Sequence, residues 1–124
     1  MHDQFGILRS EDKIVVRDCQ EVSRQIDVLL TVENEMSEFL LKLQSNNYHV
    51  ALFDCFKADK ESFKWVKIIR KLRPKLPLIV LCREVDDQIA AKMYEKKIFY
   101  LGLLPIPRDT LGEVMTSALK LEFN

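Results

Sequence analysis

The sequence predicts an α/β protein in which a parallel sheet of five strands lies between two layers of helices. Two short apolar runs, residues 50–53 and 78–82, have the composition of strands that are buried on both faces. Between the strands lie segments whose apolar residues recur at helical spacing. This alternation of strand and helix is typical of parallel sheets.

The composition limits the function classes that the chain can belong to. The 124 residues suit one domain over 1–124. Its 19 basic and 19 acidic side chains cancel, so the composition gives no electrostatic case for nucleic-acid binding. No apolar run approaches the roughly 18 residues of a membrane span, and the N-terminus has no signal-peptide layout. Three widely spaced cysteines suit free thiols in a reducing compartment. We therefore expect a cytoplasmic protein that binds neither membranes nor nucleic acids directly.

The first strand and helix are predicted from residues 5–26. Residues 5–9 form a short strand, and Ser10 is predicted to cap a helix with Glu11 and Asp12 in its first turn, where the helix dipole favours acids. The helix is predicted from an apolar stripe at spacings of four, three and four residues, namely Val15, Cys19, Val22 and Ile26. The β-branched residues 14–16 leave a hairpin open as an alternative, and a hairpin would carry the acids away from the sheet edge.

The remaining elements follow in the same alternation. Strands are predicted over residues 27–32, 48–54, 78–82 and 98–103. The helices between them are predicted to start at Asn34, Ser62, Asp86 and Arg108. Right-handed crossovers leave few topologies for such a chain, and the strand order 2-1-3-4-5 is the commonest. That order makes the first and third strands neighbours.

Three acids are predicted to meet at the edge of this sheet. Asp54 ends the third strand, and Glu11 and Asp12 follow the first, where open α/β sheets place their ligand crevice. Three carboxylates repel each other unless a cation is present, and an all-oxygen site suits Mg²⁺. A carboxylate beside Mg²⁺ can accept a phosphoryl group. Two simpler interpretations stay open: Asp54 as a structural acid bonded to loop amides, and Glu11 and Asp12 as ordinary first-turn acids.

These residues resemble those of the receiver domains of two-component response regulators, over nearly the whole chain. Glu11 and Asp12 match the family's acidic pair, and Asp54 matches its phosphoryl acceptor. The stretch 32–43 and the segments PLIVLC and LLPIPRDTL are also similar. The resemblance implies a flavodoxin-like (βα)5 three-layer fold with Mg²⁺ at Glu11, Asp12 and Asp54. It also implies a signalling module rather than an enzyme, phosphorylated on Asp54 by a histidine kinase.

The sequence departs from the family at the positions that read the phosphoryl group. Leu104 stands where the family has a lysine before Pro105, Cys82 replaces a Thr or Ser, and Leu101 replaces the switch aromatic residue. A lost charge-assisted contact to an anion is worth about 1.5–3 kcal/mol. We therefore expect an atypical receiver with weak or absent phosphorylation switching. The alternatives are a working Mg²⁺-dependent acceptor and rescue by another cation, of which Arg83 is a candidate.

A partner surface is predicted on the fourth helix, the fifth strand and the fifth helix, where receivers typically dimerise or signal. The candidate residues are large and apolar for the outer part of a fold, namely Met93, Tyr94, Phe99 and Tyr100. The expected partners are a histidine kinase, another domain of a regulator, or a second copy of the chain in a homodimer.

Overall fold

The computed structural model describes residues 4–122. Five long strands form the main sheet: β1 (Gln4–Arg9), β2 (Val28–Glu33), β3 (Val50–Asp54), β5 (Leu78–Cys82) and β7 (Tyr100–Leu103). Five helices cover it: α1 (Lys13–Gln25), α2 (Met36–Ser45), α3 (Lys60–Leu72), α4 (Asp87–Glu95) and α5 (Arg108–Glu122). Two short strands, β4 (Lys57–Ala58) and β6 (Glu84–Val85), pair separately. Among the helices of residues 4–122, none has the length and apolar character that a membrane span needs.

The sheet is parallel, and its strand order is β2-β1-β3-β5-β7. Because β5 and β7 are the fourth and fifth long strands along the chain, this is the predicted order 2-1-3-4-5. The predicted α/β flavodoxin-like fold is therefore confirmed. The first strand extends one residue before the predicted start, and the last strand is shorter than predicted.

The central strand β3 is buried along its whole length and supplies both core layers. Val50 and Leu52 belong to the cluster that α1 and α5 cover, whereas Ala51 and Phe53 belong to the cluster under α2, α3 and α4. Successive strand residues point to opposite faces of a sheet. Asp54 comes two residues after Leu52, so this alternation directs its side chain towards the α1 and α5 side.

Helix α1 excludes the hairpin alternative for residues 5–18. Its apolar stripe is buried as predicted, but the helix starts at Lys13, and Ser10 is not its cap. The Asp12 side chain caps it instead, accepting hydrogen bonds from the N–H groups of Ile14 at 2.9 Å and Val15 at 3.3 Å. Glu11 and Asp12 therefore precede the first turn, and Ser10 is available for another contact.

Two more helix starts differ from the prediction. Asn34 does not cap α2, since Glu35 holds the cap position and its side chain makes no capping hydrogen bond. Asp59, not Ser62, caps α3, and the two form a reciprocal capping box: Ser62 N–H donates to Asp59 Oδ1 at 3.0 Å, and Asp59 N–H donates to Ser62 Oγ at 2.9 Å. The predicted cap of α4, Asp86, is confirmed.

The β4–β6 pair lies in two segments for which the sequence predicts neither a strand nor a helix. Its two strands are parallel, with Lys57 opposite Glu84 and Ala58 opposite Val85. The N–H of Asp86 also donates to the carbonyl oxygen of Ala58 at 3.1 Å. The pairing joins the loop after β3 to the loop after β5, so both loops are fixed beside the end of β3.

Candidate functional site

Asp54 lies at the carboxyl end of β3 and is only 7% exposed. Ser10 Oγ donates a hydrogen bond to its Oδ2 at 2.7 Å, and the N–H of Phe56 lies 3.4 Å from its Oδ1. Because β1 pairs with β3, with Arg9 opposite Phe53, the residue after β1 comes directly beside Asp54. A buried carboxylate needs such donors, since removing it from water is otherwise costly.

Arg9 connects three segments at the same edge of the sheet. Its Nε donates to the carbonyl oxygen of Asn34 at 3.0 Å, and its Nη1 donates to the carbonyl oxygen of Asp54 at 3.0 Å. Its Nη2 donates to Glu11 Oε1 at 2.9 Å. Arg9 is mostly buried, whereas Glu11 is largely exposed, so the carbonyl contacts fix the guanidinium more firmly than the ion pair does.

Arg83 follows β5 and reaches across the cleft to the start of α1. Its Nη2 donates to Asp12 Oδ2, while Asp12 Oδ1 caps the helix. Two hydrogen bonds are the largest causes that lower the pKa of Asp12. The stronger effect comes from the N–H of Val15, and the next from the Arg83 guanidinium. Arg83 is the cation that the sequence offers as a substitute for the missing lysine. Its carboxylate partner in the structure is Asp12, not Asp54.

The three predicted acids line one cleft of about 460 Å³. Its wall is formed by Arg9, Glu11, Asp12, Asp54, Cys55, Phe56 and Arg83. The cleft therefore combines three carboxylates with two guanidinium groups, and no lysine lines it. Within residues 4–122, no group of three or more His, Cys, Asp or Glu side chains is arranged to hold a metal ion.

The donor groups of this cleft do not fit Mg²⁺ as they are arranged. Mg²⁺ demands near-octahedral oxygen ligands. Here one oxygen of Asp12 caps α1 and the other accepts from Arg83, while Arg9 donates to both Glu11 and the Asp54 carbonyl. Each of the three side chains that the resemblance implies as ligands thus already accepts a hydrogen bond from a donor of the chain.

The positions that replace the family's switch residues are apolar in their surroundings. Cys82 is fully buried at the end of β5, with its Sγ 3.8 Å from the carbonyl oxygen of Gly102, and burial raises its pKa. Leu101 packs against the core layer under α2, α3 and α4, to which Cys82 belongs. Leu104, which precedes a cis peptide bond to Pro105, packs against the α1 and α5 layer and lines an apolar hollow of about 190 Å³.

The cysteines of this region are packed thiols. All three cysteines of the chain are free, and two of them follow or end strands beside the cleft. Burial is the main cause that raises the pKa of Cys55 to about 12 and that of Cys19 to about 12 as well. A thiol that stays protonated at neutral pH is a poor nucleophile and a poor metal ligand.

The predicted partner surface is partly corrected. Met93 is 0% exposed and belongs to the core, so it is not on this surface. Tyr94 is 48% exposed, and its hydroxyl accepts a hydrogen bond from the N–H of Leu101 at 3.0 Å. Phe99 and Tyr100 are half-buried against the α1 and α5 layer, and Leu103 adds a side chain that is 58% exposed.

Two residues that contact Asp54 were missed in the sequence, Arg9 and Ser10. A signal was present, because both stand at the end of a predicted strand that neighbours the strand of Asp54. The rule that carboxyl ends of parallel strands share one edge applies to them as much as to Asp54. Ser10 was assigned to a helix cap instead.

Comparison with known proteins identifies the fold. No protein-family model matches the sequence, and no curated protein matches it either. Among solved structures, a CheY-like response regulator receiver domain protein from Methanospirillum hungatei JF-1 is similar, with a TM-score of 0.86 and 16% identity over 97% of this chain and 96% of that chain.

Two further structures have the same architecture. A response regulator from Thermotoga maritima has a TM-score of 0.84 and 17% identity, over 94% of this chain and 98% of that chain. An orphan response regulator of H. pylori has a TM-score of 0.83 and 11% identity, over 94% of this chain and 97% of that chain. The chain therefore has the fold of response regulator receiver domains, as the sequence resemblance predicts.

Proposed function

We propose that the chain is an atypical receiver domain in two-component-type signal transduction. In this proposal it acts mainly by docking to another protein or by dimerisation, it is not an enzyme, and phosphorylation switches it weakly or not at all. The observation that carries the proposal is the surroundings of Asp54. Its carboxylate accepts a hydrogen bond from Ser10, and none of the lysines within residues 4–122 lines its cleft. Leu104, at the position of the family's lysine, packs against the apolar layer of α1 and α5.

A phosphoryl group on Asp54 would carry nearly two negative charges in place of the single charge of the carboxylate. It shifts the equilibrium between the two states of a switch only through contacts that differ between those states. Without an ammonium group, the activated state loses about 1.5–3 kcal/mol, which is roughly 10- to 150-fold in the equilibrium. Cys82 cannot compensate, because it is fully buried and a thiol is a weak donor.

The docking part of the proposal uses the surface of α4 and β7, formed by Tyr94, Phe99, Tyr100 and Leu103. The exposed Tyr94 ring and the exposed Leu103 side chain on this surface are of the kind that protein interfaces bury. Its partner in the proposal is a histidine kinase, another domain of a regulator, or a second copy of the chain. Buried free thiols support a reducing, cytoplasmic location, and any contact with nucleic acid is assigned to a separate domain.

The test uses beryllofluoride with Mg²⁺ as a phosphoryl mimic. Trp65 is a suitable reporter, because it lines a hollow together with Arg9 and Cys55 next to the cleft. We expect almost no change in Trp65 fluorescence or in oligomeric state by light scattering. The matched variant combines Leu104→Lys with Arg83→Ala, which releases Asp12 Oδ2 for a metal ion, and it should gain a response that the parent chain lacks.

The competing function is a working phosphoacceptor at Asp54, and the same experiment separates it. Incubation with acetyl phosphate followed by intact-mass measurement shows whether a phosphoryl group is added. A large saturable fluorescence response of the parent chain, abolished by Asp54→Asn, would overturn the proposal in favour of this alternative.

A further inference from the structure

We propose that Arg9 and Arg83 are resident cations that take the place of a divalent metal ion in the cleft around Asp54. The inference concerns a receiver-type cleft and so rests on the proposed function. It explains why the acids of the cleft are not arranged as metal ligands: the chain itself supplies the positive charge that a metal ion would bring. The cleft then keeps its shape without a bound metal.

The charges of the cleft support this substitution. Its three carboxylates, Glu11, Asp12 and Asp54, face two guanidinium groups, so the formal charge of the lining side chains is −1 rather than −3. Three carboxylates at one sheet edge would otherwise repel each other. Arginine stays charged at every physiological pH, so this neutralisation does not depend on metal concentration.

The contacts of the two arginines also connect the two segments that a shared metal would connect, the end of β3 and the loop after β1, and they add the ends of β2 and β5. Arg9 extends from the end of β1 to carbonyl oxygens of Asn34, after β2, and of Asp54, in β3. Arg83 extends from the end of β5 to Asp12 at the start of α1. Four strand ends are therefore joined by side chains of the protein, with planar guanidinium donors in place of a spherical ion.

A metal ion would have to displace these contacts. The bond from Arg83 to Asp12 joins two oppositely charged groups that are only partly exposed, and the bond from Arg9 to the largely exposed Glu11 adds a weaker contact. An entering dication would also lie next to two positive groups. Removing an arginine should reverse both effects, because it frees carboxylate oxygens and removes a like charge.

Binding of Mn²⁺, as a spectroscopic substitute for Mg²⁺, tests the inference. Free Mn²⁺ is measured by its electron paramagnetic resonance signal, without phosphodonor or mimic. We expect no saturable uptake by the parent chain. Arg83→Ala frees Asp12 Oδ2. This variant should bind Mn²⁺ at least tenfold more tightly than the affinity limit measured for the parent chain, with uptake approaching one ion per chain. The double variant Arg9→Met, Arg83→Ala should bind more tightly still.

Arg108→Ala is the matched control. It also releases carboxylates from an arginine, since Arg108 pairs with Asp18 and Glu21, but none of these residues lines the cleft. It should bind no more Mn²⁺ than the parent chain. Adding Asp54→Asn to Arg83→Ala should abolish the new uptake, because the carboxylate of Asp54 would then be missing from the site.

Two results would overturn the inference. One is stoichiometric Mn²⁺ uptake by the parent chain that Asp54→Asn removes. The other is an Arg83→Ala protein that is folded by circular dichroism and binds no better than Arg108→Ala. Arg83→Ala decides alone if the double variant does not fold, because Arg83 is partly exposed and its removal leaves the contacts of Arg9 intact. Phosphorylation of Asp54 by acetyl phosphate would instead count against the proposed function, so the two failures are distinguishable.

Discussion

Ser10 occupies a position at the end of β1 where one hydroxyl serves two groups. It donates to Asp54 Oδ2 at 2.7 Å and accepts from the N–H of Asp12 at 3.0 Å. A buried carboxylate left without donors costs stability, and so does an unpaired amide. The hydroxyl therefore couples the acid at the end of β3 to the residue that starts α1.

Asp12 should make stability depend on pH in the acid range. The N–H of Val15 and the Arg83 guanidinium lower its folded pKa below the usual 3.8. A lowered folded pKa gives stability that is fully present above 3.8 and is lost as pH falls through the folded value. In urea denaturation, Asp12→Asn, which keeps a capping oxygen, should lose less stability between pH 7 and pH 3 than the parent chain.

Asp12→Ala serves as the companion variant. It removes the cap as well as the charge, so the free energy of unfolding at pH 7 should fall by about 1 kcal/mol. An Asp12→Asn protein with the same acid dependence as the parent chain would show that Asp12 does not cause it.

At the residue scale, the sequence predicted which acids share the cleft but not what neutralises them. Glu11, Asp12 and Asp54 follow from a rule about strand ends. The contacts of Arg9 do not, because two of its three acceptors are backbone carbonyls, which every residue possesses. Spacing along a sequence carries no information about which carbonyl a long flexible side chain reaches.

Helix starts show the same limit at the scale of elements. The sequence DKES contains both halves of the capping box of α3. The prediction took Ser62 for the cap, although Asp59 is the cap and Ser62 is the third residue of the helix. Either residue type is a good cap, so residue preference alone does not choose between them. The apolar stripe of α1, by contrast, was predicted correctly at Val15, Cys19 and Val22, because burial repeats over several turns.

Two glycines should respond in opposite directions to the same substitution. Gly6 lies in β1, where a Cβ atom would meet Leu30 Cδ1 and Val50 Cγ1 at 3.2 Å, so Gly6→Ala should lower the free energy of unfolding by about 1–3 kcal/mol. Gly112 lies within α5, with its closest neighbour, Val22 Cγ1, at an ordinary 3.6 Å. Gly112→Ala should raise stability by about 0.5–1 kcal/mol. Urea denaturation of both variants checks this, and a change of the same sign in both would contradict it.

On the scale of the whole molecule, two core layers share a single sheet and should unfold together. Leu43 lies in the layer under α2 to α4, and Leu111 lies in the layer under α5. Each change to alanine should cost about 2–5 kcal/mol. Because small single domains usually unfold in one step, Trp65 fluorescence and far-UV circular dichroism should give the same midpoint for each variant. A Leu111→Ala variant in which only one of these probes shifts would indicate separate layers.

The overall topology was predictable because few alternatives exist for alternating strands and helices. The β4–β6 pair was not, because strands of two residues are too short to show an alternation of apolar and polar side chains. Lys57 and Glu84 on their own are typical of loops. Their pairing depends on β3 and β5 being neighbours, which is a property of the assembled sheet.

The β4–β6 pair joins the two loops at the rim of the cleft, so we expect them to move together. The N–H of Asp86 is bonded to Ala58, and Asp86 is also the residue that caps α4. A displacement of the loop after β3 should therefore be transmitted to the first turn of α4, the helix that carries Tyr94. The connection runs through backbone hydrogen bonds rather than through side chains. A partner that binds the loop after β3 should therefore also displace the loop after β5, and the reverse should hold as well.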